Sequence, residues 1–519
     1  MFGYTFGVIS AGLEVFRKAI DITNRNILNA NNPDYAQEEP VITNFAPAGV
    51  NLQTIKRIQN FYYLSLRNDK LSTVYYLKER VSGNSQVEDI FQEFTQGLGG
   101  TEYINDLFGA YQDLMKDPTN EGAKAQLINS AKSLVSYLRD RINDLDRINN
   151  GIDYNLRNYI SQVNDLTKKI AELNKDILIQ YAQTYANGQD YKNLLDQRDQ
   201  YLKELSQLIN IRVQEDDLGR VRVETSQGFV LVEDGTSWDL SYDGGSRKVY
   251  WNSKDGSKVD ISSLLTSGKI KGLLDFSQDI SSYMNKLDSV AKALISQVKV
   301  PLRQGYGNTF YYIQNVSNPT APLGISKPIT LNGSSSVIIT PSPTDSLNDL
   351  ANTINAAAVG FTASVVANPD GTYTLKVVAS DPNYTIQDQN GKLFKAEGLF
   401  TGTSVRDIDL NPNVSDMLQN MDYSLADEFD SFSVEWWNTV KGQYQNLLND
   451  VSSNLNSLKN RQDRESALLN SLDAKLQEMQ GVSIDAEFMR AMELQRSYEA
   501  LAKIVNAMDE LIRTTLNMV

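Results

Sequence analysis

Few residues in this chain have the types and spacing that chemistry needs. Asp407, Asp409, Asn411 and Asn413 alternate along one stretch, and oxygen side chains so placed can wrap a calcium ion as an EF-hand loop does. Pro412 stands where such a loop turns on glycine, and its twelfth position is Leu418 rather than glutamate, so a solvated linker explains the run as well. Glu215, Asp216 and Asp217 sit just before Gly219 and read as a hairpin turn. Asp196, Arg198 and Asp199 lie on one predicted helix, either as an acid–base set or as a structural ion-pair network. The chain has no His and no Cys. That removes Ser-His-Asp triads, HExxH metal sites, thiolate nucleophiles, cysteine zinc sites and disulfides. With 49 Lys+Arg against 64 Asp+Glu the net charge is −15, which disfavours a nucleic-acid partner. The reading is a non-enzyme with no cofactor and no metal.

The elements that position these residues follow from periodicity. A length of 519 residues suggests several domains at about 100–200 residues each. No apolar run approaches the ~20 residues of a membrane helix, so membrane insertion is not expected. The N-terminus lacks a basic stretch ahead of its apolar residues and a small-residue cleavage site, which leaves a cytoplasmic protein and a leaderless export route both open. Of the 13 prolines, nine lie from Pro301 to Pro412 and none between Pro118 and Pro301, which marks a break in architecture. The fold class predicted is mainly α with inserted antiparallel β domains.

Residues 2–30 carry a narrow 4,3 seam: Phe2, Phe6, Ile9, Leu13, Phe16, Ile20, Ile27 and Ala30, interrupted at Thr23 and stopped at Pro33 and Asp34. The longest periodic run covers 120–182, through Ala131, Leu134, Leu138, Ile142, Leu145, Ile152, Leu156, Tyr159, Val163, Leu166, Ile170, Leu173 and Ile177, with Gly151 a possible kink. A shorter helix fits about 190–209. Period-two alternation over 211–262 predicts a small antiparallel meander. A helix fits 270–299. Strands, a helix over 345–357 and a hairpin (361–366 with 373–378) occupy 301–412. Helical sequence returns over 432–480, with Gln462 and Glu465 weakening its seam. After a break at Gly481 and an N-cap at Ser483, the last helix repeats the seam in Ala491, Leu494, Tyr498, Leu501, Val505, Met508, Ile512 and Val519, interrupted at Thr515. Both chain ends are thus apolar helices, where ends are usually polar and frayed. Either they close one core as a hairpin, or they are coiled-coil surface for other subunits. The domains expected are 1–60 (axial helix and extended segment), 61–210 (helical body), 211–262 (β subdomain), 263–300 (body continued), 301–412 (outer β-rich insertion), 413–480 (body return) and 481–519 (axial helix).

Asn26-Ile-Leu-Asn29-Ala-Asn31-Asn-Pro33-Asp-Tyr35 resembles the NIANANTPGY motif of flagellar rod, hook and hook-associated proteins, departing at Asn32 and Asp34. Gly481-Val-Ser-Ile-Asp-Ala-Glu487, with Gln495, Tyr498, Ala500 and Met508-Asp-Glu510, resembles the C-terminal end of the same proteins. Asn193-Leu-Leu195-Asp196-Gln-Arg198-Asp199, followed by Glu204-Leu-Ser206, narrows the likeness to the family of flagellar hook-associated protein 1. Gly268–Leu274 and Leu287–Ala291 also fit; the VNxxHxxG pattern that follows in that family does not, since no His is present. Residues 346–378 look like a small β motif shared with flagellins and filament caps.

The resemblance implies a structural subunit at the junction of hook and filament, secreted unfolded through the flagellar type III channel. It implies terminal helices packed with neighbouring copies, and β domains facing outward. It further implies the hook protein, a second junction protein and a cytosolic export chaperone at the C-terminal helix as partners. The assembly residues expected are Leu13, Phe16, Ile20 and Ile27 at one end, and Leu494, Tyr498, Leu501, Val505, Met508 and Ile512 at the other. Asn29, Asn31, Pro33, Tyr35, Leu195, Asp196, Arg198 and Asp199 carry the motifs. The alternatives are another hook or rod subunit, a type III-secreted translocator or adhesin, and a carboxylate-only hydrolase in 301–410.

Overall fold

The computed structural model describes residues 2–32, 35–45, 49–91, 99–187 and 191–517. Its helices are α1 (Phe2–Leu28), α2 (Phe61–Phe91), α3 (Gly100–Lys116), α4 (Glu121–Asn187), α5 (Lys192–Leu208), α6 (Gly268–Gln297), α7 (Leu347–Ala356), α8 (Val414–Gln419), α9 (Ala426–Gln480) and α10 (Ile484–Asn517). The chain divides into two compact units.

The first unit holds Met1–Arg80, Asp153–Leu274 and Leu458–Val519. Here α1 packs on α10 and on a hairpin of β1 (Glu38–Phe45) and β2 (Gly49–Arg57), where sequence reading expected only an extended segment. The second half of α4 buries Leu156, Ile160, Val163, Leu166, Ile170 and Ile177. Leu173 and Ile177 of this stretch meet Leu195 of α5 in a small apolar cluster. The end of α9 meets the start of α2 through Leu71, Val74 and Leu469. The meander resolves into two antiparallel sheets rather than one. The first is β3 (Ile211–Glu215), β4 (Val221–Thr225), β5 (Val230–Glu233) and β6 (Thr236–Ser237). The second is β7 (Leu240–Asp243), β8 (Lys248–Asn252) and β9 (Lys258–Asp260). Asn174 of α4 bonds the backbone of Val221 and Asp234, and Asn164 that of Leu240, so two asparagines fasten both sheets to the helix.

The second unit holds Val81–Ile152 and Asp275–Ser457. Its helices bury Leu107, Leu114, Leu134, Leu138, Leu287, Leu294, Val440 and Leu447. Trp436 is core, edge-on to Tyr111 and Phe108. The β-rich part places β10 (Lys299–Pro301), β11 (Thr309–Tyr312), β14 (Phe361–Ala367), β15 (Tyr373–Ala379) and β17 (Leu393–Gly398) in a five-stranded sheet ordered β10-β17-β11-β15-β14. The strands β12 (Ile329–Asn332), β13 (Ser336–Ile339) and β16 (Thr385–Asp388) form a second sheet, and β18 (Phe400–Thr401) pairs with β19 (Asp409–Leu410). Helix α7 covers β14 and is held by a capping box between Ser346 and Asp349. Leu331, Leu347, Ile354, Leu375, Val377 and Leu393 close one core.

Helix α4 runs through Gly151 without a break; a side chain there would meet nothing within 4 Å, so the glycine answers no packing demand. The expected seam of α4 fails at one place. Tyr159 is half-buried and bonded to Glu79, and Ile160 is the buried residue instead. The break after α9 is real: a Cβ on Gly481 would lie 2.3 Å from the Gln477 carbonyl oxygen. Among the described residues no helix is long and apolar enough to cross a membrane.

Candidate assembly surface and its polar anchors

The assembly residues expected from sequence divide in the first unit. Leu494 and Met508 are buried, whereas Tyr498, Leu501, Val505 and Ile512 are half-buried. Helix α1 differs more. Leu13, Phe16, Ile20 and Ile27 are only half-buried, and the tight contacts are made by Ile9, Val15, Ala19, Ile22, Thr23 and Asn26. Periodicity picked the largest side chains. Close packing kept Ile9, took Val15 and Ile22 from the neighbouring stripe, and took in small and polar residues besides, with the Thr23 hydroxyl turned back to the Ala19 carbonyl. A Cβ on Gly12 would meet Leu501 at 3.1 Å, so the two helices approach closely there. Large apolar side chains remain outside: Phe6 and Leu28 on α1, and Phe488, Met489, Met492, Ile504 and Leu511 on α10. A groove of about 710 Å³ runs beside α1 and β2, lined by Val15, Ile22, Val50, Leu52 and Tyr191 among others. Val519, the last residue of the expected seam, lies outside the described residues.

The two terminal motifs meet at one polar node. Asn26 is fully buried. Its Oδ1 accepts from the Glu38 N–H (3.0 Å) and the Tyr35 hydroxyl (2.8 Å). Its Nδ2 donates to the Glu38 carbonyl (2.8 Å) and to Glu487 (3.1 Å). Glu487, only 2% exposed, also accepts from Gln37 Nε2 at 2.7 Å. The Gln37 N–H donates to the Gln480 carbonyl, and Arg490 pairs with Glu39. Of the other motif positions, Asn29 donates to the Arg25 carbonyl, Asn31 is exposed, and Pro33 lies outside the described residues. Asn26 and Glu487 stood inside the quoted motifs, yet sequence alone gave no reason to single them out.

A second node explains the Leu195–Asp199 segment. Arg198 is fully buried; it pairs with Asp199 (2.8 Å) and Glu215 (2.7 Å) and donates to the Gly219 carbonyl. Arg57, at the end of β2, pairs with Asp196 and with Asp199 (2.8 Å), which also accepts from Gln59. Two guanidiniums therefore face three carboxylates. Burial works against the Asp199 carboxylate, but Arg198 and Arg57 outweigh it and hold its pKa below the ordinary value. Asp196 is the surplus charge: burial pushes it up to about 6 against the pull of Arg57. The Asp217–Gly219 turn forms as expected, with Gly219 at φ +85° and Asp216 accepting from the Leu218 and Arg220 N–H groups. Arg57 was missed as the partner of Asp196 and Asp199, because that contact spans distant parts of the chain, and Glu215 was read as part of the turn rather than as a partner of Arg198.

The calcium reading does not assemble. Asp407 is taken up by the turn it closes, where the Ser404 hydroxyl and the Thr403 and Ser404 N–H groups hold it at about 2. Asp409 pairs with Arg139, and Asn411 bonds the Gly398 carbonyl and the Asn413 N–H. Among the described residues no group of three or more acidic, His or Cys residues is placed to hold a metal.

Two family models match the chain. One is the flagellar hook-associated protein FlgK helical domain, over residues 84–309; the other is the flagellar basal body rod FlgEFG protein C-terminal model, over residues 475–518. Flagellar hook-associated protein 1 of Escherichia coli K12 is 22% identical, and the match covers 98% of each chain. Its namesake in Bacillus subtilis 168 is 20% identical over 98% of this chain and 97% of its own. The chain is thus similar to flagellar hook-associated protein 1 along nearly its whole length. It is a structural part of the bacterial flagellum at the hook junction. The hook junction protein FlgK of Burkholderia pseudomallei overlays with a TM-score of 0.48 at 15% identity, covering 80% of this chain and 99% of its own.

Proposed function

We propose that the chain joins hook to filament by packing its terminal helices against neighbouring copies, and that it does no catalysis. The observation that carries this is the apolar surface of α1 and α10. A soluble monomer rarely leaves Phe6, Leu28, Phe488, Met489, Met492, Ile504 and Leu511 exposed on two paired helices. The half-buried Leu13, Phe16, Ile20 and Ile27, with Tyr498, Leu501, Val505 and Ile512, extend that surface and supply knobs for a second layer of helices. Residues 1–60 and 481–519 form the inner axial layer, and 301–412 face outward. The partners are the hook protein, a second junction protein and further copies of this chain. Before export as an unfolded, secreted subunit, a cytosolic chaperone covers the C-terminal helix. The Asp196–Arg198–Asp199 set is spent on ion pairs, which supports a structural role.

Ile20→Asp or Val505→Asp tests the reading. Each should leave the second unit folded, by circular dichroism of the purified chain, while cells carrying it make hooks without filaments and release flagellin to the medium. Normal filaments on either mutant would overturn the assembly surface.

A further inference from the structure

We propose that the buried Asn26–Glu487 contact is the specificity determinant of the α1–α10 pair, fixing one register of its seam. The inference rests on the assembly reading, because it concerns how the same apolar surface is kept from pairing wrongly before assembly.

The apolar seam cannot do this by itself. Leu494, Leu501 and Met508 recur at intervals of seven on α10, so sliding the helix by one heptad puts Leu501 in the place of Leu494 and Met508 in that of Leu501, with Thr515 next in the repeat. The Gly481–Ser483 link limits how far α10 slides, and the polar contact selects the register within that limit. Gly12 approaches Leu501, and Asn26 bonds Glu487. Asn26 lies two heptads after Gly12, and Glu487 two heptads before Leu501. The helices are therefore antiparallel, and the polar contact sits in phase with the apolar ones. A one-heptad slip brings Met508 to Gly12 and Leu494 to Asn26. Asn26 Nδ2 then loses an acceptor, and Glu487 leaves the place where Asn26 and Gln37 both donate to it. A buried polar group with its partner removed is disfavoured far more than an apolar exchange. Single buried polar residues set register and partner in coiled coils by this physics, at a cost in stability. Asn26 is also bound on its other sides by Tyr35 and Glu38, so its amide is held in one orientation before α10 arrives.

The full chain has no cysteine, so introduced thiols report alone. Gly12→Cys is combined with Leu501→Cys for the native register and with Met508→Cys for the slipped one, and each pair is oxidised in the purified protein. In the otherwise native chain the product should be the intrachain 12–501 disulfide. Glu487→Leu leaves the Asn26–Tyr35–Glu38 bonds in place. It should raise the 12–508 product by at least about tenfold, with helix content unchanged by circular dichroism. Glu487→Gln still offers Asn26 an acceptor and should keep the native pattern. If Glu487→Leu keeps only the 12–501 product, the proposal fails. It fails also if Glu487→Leu gives no disulfide at any pair, for the contact is then a plain anchor. Filaments on Ile20→Asp cells would overturn the assembly reading without touching the disulfide pattern of the isolated chain.

Discussion

The terminal part of the first unit and the β-rich part of the second solve opposite problems. In the β-rich part, Leu331, Leu347, Ile354, Leu375, Val377 and Leu393 gather in one core, and the polar side chains of its loops close their own turns, as Asp388, Asp370 and Asp407 do. In the terminal part, the best-buried contacts include the polar ones around Asn26 and Glu487, while Phe488, Met489 and Met492 stay outside. One region is complete as a monomer. The other has placed its polar groups inside to fix geometry and left apolar surface for later. Specificity and affinity are thus divided between two kinds of residue on the same helices.

The largest effect should come from the ion pairs of the first unit. Arg198→Met strands Glu215, leaves Asp199 to Arg57 and Gln59, and takes the donor from the Gly219 carbonyl. Breaking such a buried set costs about 3–5 kcal/mol. Urea unfolding followed by hydrogen exchange should show the loss in α5 and the β3–β4 hairpin, with the core around Leu375 unaffected. In the β-rich part the matching lesion is apolar. Leu375→Ala empties a fully buried site and should cost about 2–4 kcal/mol, confined to that core. If Leu375→Ala loosened α5, or Arg198→Met loosened the β14–β15 pair, the two regions would not be separate in the way described.

A smaller effect separates the carboxylates. Asp196 holds its proton more tightly folded, at about 6, than the ~3.9 of an unfolded chain. The folded state therefore binds more protons between pH 4 and 6, and the Asp196 contribution to stability falls as pH rises through that window. Asp199 has the opposite sign: its depressed pKa adds stability at neutral pH that is lost as pH falls below the ordinary carboxylate value. Asp196→Asn still accepts from Arg57 and removes the surplus charge. It should stabilise the first unit at pH 7.5 by about 1–2 kcal/mol, allowing for the quarter of the side chain open to solvent, and flatten the slope between pH 4 and 6. A variant less stable than the parent at pH 7.5 would mean that Asp196 is a true partner of Arg57 and not the surplus charge.

The sequence showed the large features for a physical reason: burying a helix face leaves a period of 3.6, and burying a strand face leaves a period of two. Helix α4, the 361–379 hairpin and the Gly481 break were legible in this way. The tight contact on α1 was not, because Ala19, Thr23 and Asn26 carry no apolar signal and are buried only where other segments meet them. Arg57 was equally silent, since an ion pair spanning more than a hundred residues leaves no local pattern, and Glu215 read as part of a turn rather than as a partner of Arg198. Asp196, Arg198 and Asp199 were legible as an ion-pair set on one helix, whereas Leu195 stood out only by resemblance.

The smallest effect on the monomer is the sharpest test of the comparison. Leu28, at the end of α1, is 82% exposed; Ile338, on β13, is 67% exposed. Neither makes the contacts that a serine would remove, so Leu28→Ser and Ile338→Ser should each change monomer stability by no more than about 0.5 kcal/mol. Exposed apolar residues standing singly are ordinary on protein surfaces, and Ile338 is of that kind. Leu28 is different only if the apolar surface of α1 and α10 has a neighbour to meet. Leu28→Ser should then shorten or shed filaments in a shear assay on swimming cells, while Ile338→Ser leaves them as they were. Equal behaviour of the two in that assay would remove the distinction between a finished region and one awaiting its partners. A filament defect in Ile338→Ser alone would move the assembly surface to the β-rich part.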